Sequence, residues 1–165
     1  MINTYNLFAV PVTHGKFIVP INLHKKILNH VDLNYSSSNY ISCIDGHQIH
    51  NNFEGKKELD ILLNNYFNNI FNLKLIHGWL NILGNKSYNN PHIHQGNNIV
   101  SSGILYLSSQ NNNINFTKDS QVFQIKPKIF DFLLFPNTLV HYVLPEERKE
   151  KRIAYAFNLS TIGEE

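Results

Sequence analysis

His92 and His94 flank a single residue, and His141 follows the apolar run 130–136 further along the chain. Imidazole nitrogens are ready ligands for a transition metal. Alternate residues of an extended segment point to one face, so His92 and His94 reach a common point if residues 91–95 are extended. Pro91 favours that conformation, because it disfavours helix at Asn90 and removes a backbone donor. A third imidazole from a later strand, His141, would complete one triangular face of a metal site and leave the other positions open to exchangeable ligands. Arg152 lies eleven residues beyond His141, a fixed cation on a segment that reads as the next strand. A His-X-His pair alone is a weak signal, since packed or surface histidines are common. Its place at the rim of a strand, with strand-sized segments separating it from His141, is what points to a metal.

The elements that must position these residues change in character along the chain. Residues 7–12 and 17–19 read as an opening strand pair around His14 and Gly15. Residues 22–29 have helical spacing, with Ile21, Leu23, Ile27 and Leu28 forming one stripe. Residues 33–52 are polar and rich in Ser and Asn, which predicts a long loop and, by its length, a lid over a site. Residues 54–72 form the strongest helix, with Leu59, Leu62, Leu63, Tyr66, Phe67 and Ile70 recurring at three- and four-residue steps. From Leu73 the period falls to two. Strands are expected at Leu73–Leu83, 99–107, 114–116, Gln121–Ile125, 129–135, Val140–Val143 and 152–159, with a turn at 111–113. Many short strands after two helices predict a mainly β (α+β) protein. The expected architecture is a double-stranded β-helix, a cupin-like jelly roll, with the N-terminal helices packed on one side.

Composition bounds the partners. A chain of 165 residues fits one domain, taken as residues 1–165, and can bury about two-thirds of its unfolded surface. The formal net charge is +2 and the 14 basic residues are scattered apart from the run 149–152, which argues against a nucleic-acid partner. Cys43 is the only cysteine, so an internal disulfide and a thiolate-rich zinc site are excluded. It reads as a half-buried structural thiol. Residues 1–10 lack the pattern of a signal peptide, and no apolar run is long enough to span a membrane. The expectation is a soluble, cytoplasmic protein without a membrane partner, and exposed edge strands point to a homodimer.

Several runs taken together resemble the small 2-oxoglutarate/Fe(II)-dependent oxygenases, and within them a branch common in marine bacteria and their phages. These are Gly78, Trp79, Leu80 and Asn81, then Gly84, then Asn90 to His94, then Ser102 to Tyr106, then Leu134, Phe135 and Pro136, and finally His141, Arg152 and Asn158. The likeness covers about the last ninety residues well and the first seventy only loosely. It implies that His92, His94 and His141 hold Fe(II) and that Arg152 pairs with the distal carboxylate of 2-oxoglutarate. Asn81, Tyr106 and Asn158 become pocket donors to cosubstrate or substrate, and Trp79 a core or wall residue. The implied reaction couples decarboxylation of 2-oxoglutarate by O₂ to C–H oxidation, in the manner of a hydroxylase. The substrate would be a small molecule or a peptide.

One departure stands out. The wider superfamily places Asp or Glu two residues after the first histidine, and this chain has His94. Either the site is built from three neutral imidazoles, or a carboxylate arrives from elsewhere, Asp119 and Asp131 being the nearest options. His47 and His50 have no acidic partner and are not expected to bind metal. Two other readings stand beside the oxygenase. A cupin-type metal enzyme that does not use 2-oxoglutarate has no need of Arg152, and a binding module would have lost the metal.

Overall fold

The architecture is given by a computed structural model, which describes residues 2–7, 10–40, 42–96, 98–109 and 113–163. Two antiparallel sheets face each other. The strands in chain order are β1 (Asn3–Leu7), β2 (Val10–Lys16), β3 (Cys43–Ile44), β4 (His47–Ile49), β5 (Leu73–Leu83), β6 (Tyr88–His92), β7 (Ser101–Tyr106), β8 (Ile114–Lys118), β9 (Gln121–Ile125), β10 (Asp131–Pro136), β11 (Val140–Val143) and β12 (Arg152–Thr161). The larger sheet runs β1-β2-β10-β7-β12-β5-β4 and the smaller β3-β6-β11-β8-β9. This is the expected double-stranded β-helix.

Alternation along β12 shows how the larger sheet serves two cores. Ile153, Tyr155, Phe157 and Leu159 join the cluster beneath the helices, while Ala154 joins the cluster between the sheets. Both faces are covered, so the strand reads as a nearly unbroken apolar run and not as a clean alternation. Helices α1 (Ile21–Asn34) and α2 (Lys56–Phe71) lie on the outer face of this sheet, as expected. Leu23, Ile27 and Val31 from α1 and Leu59, Leu63 and Phe67 from α2 are fully or almost fully buried. Each such side chain stabilises the fold by about 1.5–3 kcal/mol relative to an exposed one. Ile21 and Ile70, assigned to the buried stripes by spacing, are exposed at the helix ends. Asn72 ends α2 in the left-handed conformation, its N–H capping the Asn68 and Phe67 carbonyls.

Two expectations need correction. Residues 14 and 15 do not turn the chain: they lie inside β2, which pairs with both β1 and β10, and residues 17–19 are not a strand. Gly15 is there because the Phe132 ring crosses its α-carbon, where a Cβ would meet the ring at 2.5 Å. Residues 33–52 are not a free loop either. They finish α1 and then supply β3 to the edge of the smaller sheet and β4 to the edge of the larger. The turn between those strands uses Asp45 at φ 53° and Gly46. A Cβ on Gly46 would lie 2.4 Å from the Cys43 Sγ and 2.8 Å from the Ile82 carbonyl oxygen, so no larger residue fits. Residues 8, 9, 41, 111 and 112, on which parts of the first strand, the loop and the 111–113 turn fall, lie outside the described residues.

Candidate metal centre and cavity

His92 and His141 are direct cross-strand partners where β6 pairs with β11. His94 lies two residues past His92, beyond the end of β6, and is fixed by a reciprocal clamp. Its N–H donates to the Asn137 carbonyl at 2.9 Å, and the Asn137 Nδ2 donates back to the His94 carbonyl at 3.2 Å. The three rings meet with centroid separations of 4.3 Å (His92–His141), 5.0 Å (His94–His141) and 5.3 Å (His92–His94). One nitrogen from each lies within 4.8 Å of the others, and among the described residues no carboxylate or thiol joins the group.

The remaining nitrogens decide the tautomers. His92 Nδ1 lies 2.7 Å from the Asn90 carbonyl, His141 Nδ1 3.0 Å from the Leu139 carbonyl and His94 Nδ1 2.7 Å from the Asn158 Oδ1. Each partner is an oxygen acceptor, so each Nδ1 carries the proton and donates. The Nε2 lone pairs are left as the atoms that could ligate a metal. Burial lowers the pKa of all three: His94 to about 4, His92 below its ordinary value and His141 well below it, with the neighbouring imidazoles adding to the shift at His94 and His141. The cluster is therefore neutral at physiological pH, the protonation state a cation requires.

These rings line a narrow cavity between the sheets, about 30 Å³ in volume. Arg152 lines it too, on the strand face that continues through Ala154 and Ala156. The two alanines leave space on the very face that carries the guanidinium. Arg152 is 3% exposed, and its Nε and Nη2 have no hydrogen-bond partner among the described residues. The guanidinium carbon lies 5.2 Å from the centre of the Tyr106 ring; Tyr106 is a core residue behind Arg152 and not a lining residue, and the two side chains interact electrostatically. Burial pushes the Tyr106 pKa up to about 12 and lowers that of Arg152. Buried donors left unmatched are unusual in a finished core and common where a ligand completes the set.

The other predicted residues separate into cavity and support. Asn81 lines the cavity: its Nδ2 donates to the Asn89 Oδ1 at 2.9 Å, and its own Oδ1 is buried without a partner. Trp79 is a wall residue, its ring 5.4 Å from that of His94. Asn158 does not line the cavity. Its Oδ1 accepts from His94 and from Ser102 Oγ at 2.8 Å, and its Nδ2 approaches His77 Nε2 at 3.3 Å, so it orients a ring of the triad. The register shift between Asn158 and Leu159 falls at this point and re-aims the strand. Asp131 pairs with Lys16 at 2.7 Å and His14 at 3.0 Å and accepts the Lys128 N–H, and Asp119 sits in a left-handed turn after β8. Neither is the missing carboxylate. His47 accepts the Ser36 N–H and His50 stacks on Trp79, outside the cluster. Cys43 is fully buried, more than expected, and desolvation raises its pKa to about 11, as for an inert thiol.

Sequence reasoning missed Ser102, Asn137 and Asn89, which hold site residues from distant strands and carry no local pattern. It also gave no role to Arg148. Arg148 is 9% exposed and donates to the carbonyls of Gly84, Ser87 and Leu144, tying the turn before β6 to the segment after β11.

Residues 109–158 match the family profile described as "Putative 2OG-Fe(II) oxygenase". Solved structures share the whole architecture at low identity. A Pseudomonas putida prolyl-4-hydroxylase superposes with a TM-score of 0.68 at 12% identity, covering 96% of each chain. HygX from Streptomyces hygroscopicus, solved with nickel, 2-oxoglutarate and hygromycin B, gives 0.67 at 10% identity over 92% of this chain and 83% of that one. The α-ketoglutarate-dependent epimerase SnoN of nogalamycin biosynthesis gives 0.72 at 8% identity over 91% and 77%. No curated protein sequence matches the chain. The chain thus has the fold of the 2-oxoglutarate/Fe(II)-dependent oxygenases and, over residues 109–158, resembles their sequence pattern. Among the described residues no helix is long and apolar enough to cross a membrane.

Proposed function

We propose that residues 1–165 act as one oxygenase domain, an Fe(II)- and 2-oxoglutarate-dependent dioxygenase that hydroxylates a small molecule or a peptide. His92, His94 and His141 hold the metal, and Arg152 takes the distal carboxylate of 2-oxoglutarate. The carrying observation is that one cavity contains three convergent neutral imidazoles and a buried guanidinium with unmatched donors. The donor set fits the pair: nitrogen lone pairs suit a first-row metal, and a planar guanidinium suits a carboxylate.

Fe(II) with 2-oxoglutarate supplies activation of O₂, in which the keto acid loses CO₂ to give succinate as a substrate C–H bond is oxidised. The chain's residues bind, orient and exclude water. Asn158 and the carbonyls of Asn90 and Leu139 keep each Nδ1 protonated and each ring aimed. Tyr106 supplies a hydroxyl next to Arg152, and its raised pKa keeps it a donor. Ile104, Ile114, Val143, Ala154 and Ala156 make the apolar walls. Trp79, Gln48 and Ser42 line the same cavity and offer a ring and polar groups to a substrate. A cupin enzyme without 2-oxoglutarate would leave Arg152 buried and unmatched.

Succinate formation is the test. The Fe(II)-loaded protein in air should convert 2-oxoglutarate to succinate, slowly without substrate, and His141→Ala should not. Equal conversion by His141→Ala would refute the assignment.

A further inference from the structure

The charges inside the cavity carry a further inference, which rests on the oxygenase reading. Among the described residues, Arg152 is the one Lys or Arg that lines the cavity, and no Asp or Glu lines it. The metal-ligating group contains no carboxylate among the described residues, and the candidate Asp131 is spent on Lys16 and His14. A divalent ion on the triad would therefore share a mostly apolar cavity with a second cation and, among the described residues, no carboxylate. Like charges in a medium of low dielectric repel far more than in water, and a buried cation without a counter-charge is costly.

We infer that the site is built to take its metal and its keto acid as a pair: the 2-oxoglutarate dianion supplies the negative charge that His94 does not, so each ligand is held weakly without the other. The linkage is reciprocal by thermodynamic necessity, and the factor by which 2-oxoglutarate tightens Fe(II) equals the factor by which Fe(II) tightens 2-oxoglutarate. Chelation alone would give some coupling with any ligand triad. The part assigned here to His94 is the excess over a triad that contains a carboxylate. The metal-free form then becomes a normal state of the protein whenever keto acid is scarce.

Trp79 gives a binding signal that does not depend on turnover, because it is the only tryptophan and its ring lies 5.4 Å from that of His94. Fe(II) would be titrated anaerobically by Trp79 fluorescence and calorimetry, with and without 2-oxoglutarate, in wild type, His94→Asp, His94→Glu and Arg152→Gln. Wild type should bind Fe(II) at least about 10-fold more tightly with 2-oxoglutarate. The acidic variants should bind Fe(II) more tightly alone and show a smaller coupling factor. Arg152→Gln should also bind Fe(II) alone more tightly than wild type, which keeps the test alive if the acidic variants fail to fold. Fe(II) binding in wild type that is indifferent to 2-oxoglutarate, or coupling as large in a folded acidic variant, would overturn this inference and leave the oxygenase reading standing. No Fe(II) binding even with saturating 2-oxoglutarate, or Fe(II) binding with no affinity for 2-oxoglutarate, would overturn both.

Discussion

The two functional parts of the cavity are finished to different degrees. At the triad, every imidazole has its second nitrogen hydrogen-bonded within the protein, and the rings are held neutral by burial. At Arg152, the guanidinium Nε and Nη2 are buried with no hydrogen-bond partner of regular geometry among the described residues. The first part has its rings held in place before any ligand arrives, as the proposed ion site requires. The second is a charge left for a ligand to satisfy. Preorganisation at one site and incompleteness at the other are two ways of investing folding free energy in binding.

Removing the incomplete part should produce the largest effect and its sign should differ between states. Arg152→Met takes away an uncompensated buried cation, so the ligand-free protein should gain about 1 kcal/mol or more of stability. The same change should weaken 2-oxoglutarate binding about 100-fold. Thermal unfolding with and without 2-oxoglutarate reads both, and a loss of stability in the ligand-free protein would mean that Arg152 is satisfied after all.

At the finished part the expected loss is smaller and in one direction. Asn158→Ala frees the His94 ring without touching the cavity, and metal affinity should fall about 10-fold. Calorimetry with Fe(II) or Co(II) would measure it; an unchanged metal affinity together with weakened 2-oxoglutarate binding would put Asn158 at the cosubstrate instead.

The two parts should also separate with pH. His94 has a pKa of about 4 in the folded protein, below the 6.5 of an unperturbed histidine, and burial is the main cause. Between those values the unfolded chain binds a proton that the folded chain refuses. The stabilising contribution is thus full above pH 6.5 and is lost as pH falls toward 4. His92 and His141 are shifted in the same direction. Tyr106, near 12, is silent in this window, and Asp131, held low mainly by Lys16 against the opposing effect of burial, acts beneath it. Urea midpoints of the metal-free protein should therefore decline from pH 6.5 to 4, less steeply in His141→Phe; a flat profile would contradict the neutral triad.

How much of this was legible in the sequence depends on the range of the signal. Leu73–Leu83 and Val140–Val143 were read with their observed bounds, because apolar residues bounded by Gly, Asn or Pro mark such strands. The opening hairpin was misplaced because β2 contains Pro11, His14 and Gly15, residues that usually signal turns but here serve a close crossing by Phe132. Residues 33–52 read as a loop because β3 and β4 are two and three residues long, too short for any period to register. The triad and Arg152 were visible as residue types at strand spacing. Their supports were not: Asn158 reaches His94 across 64 positions and Ser102 reaches Asn158 across 56, pairings that only the folded register creates.

The central claim, that the triad and Arg152 jointly hold Fe(II) and 2-oxoglutarate, is tested most directly by visible absorbance during anaerobic titration of the metal-loaded protein with 2-oxoglutarate. The account predicts a metal-to-ligand charge-transfer band in wild type, its loss in His141→Ala, and saturation only at far higher 2-oxoglutarate in Arg152→Ala. Fe(II) binding in wild type without that band would contradict it and move the chain toward a metal enzyme of cupin type.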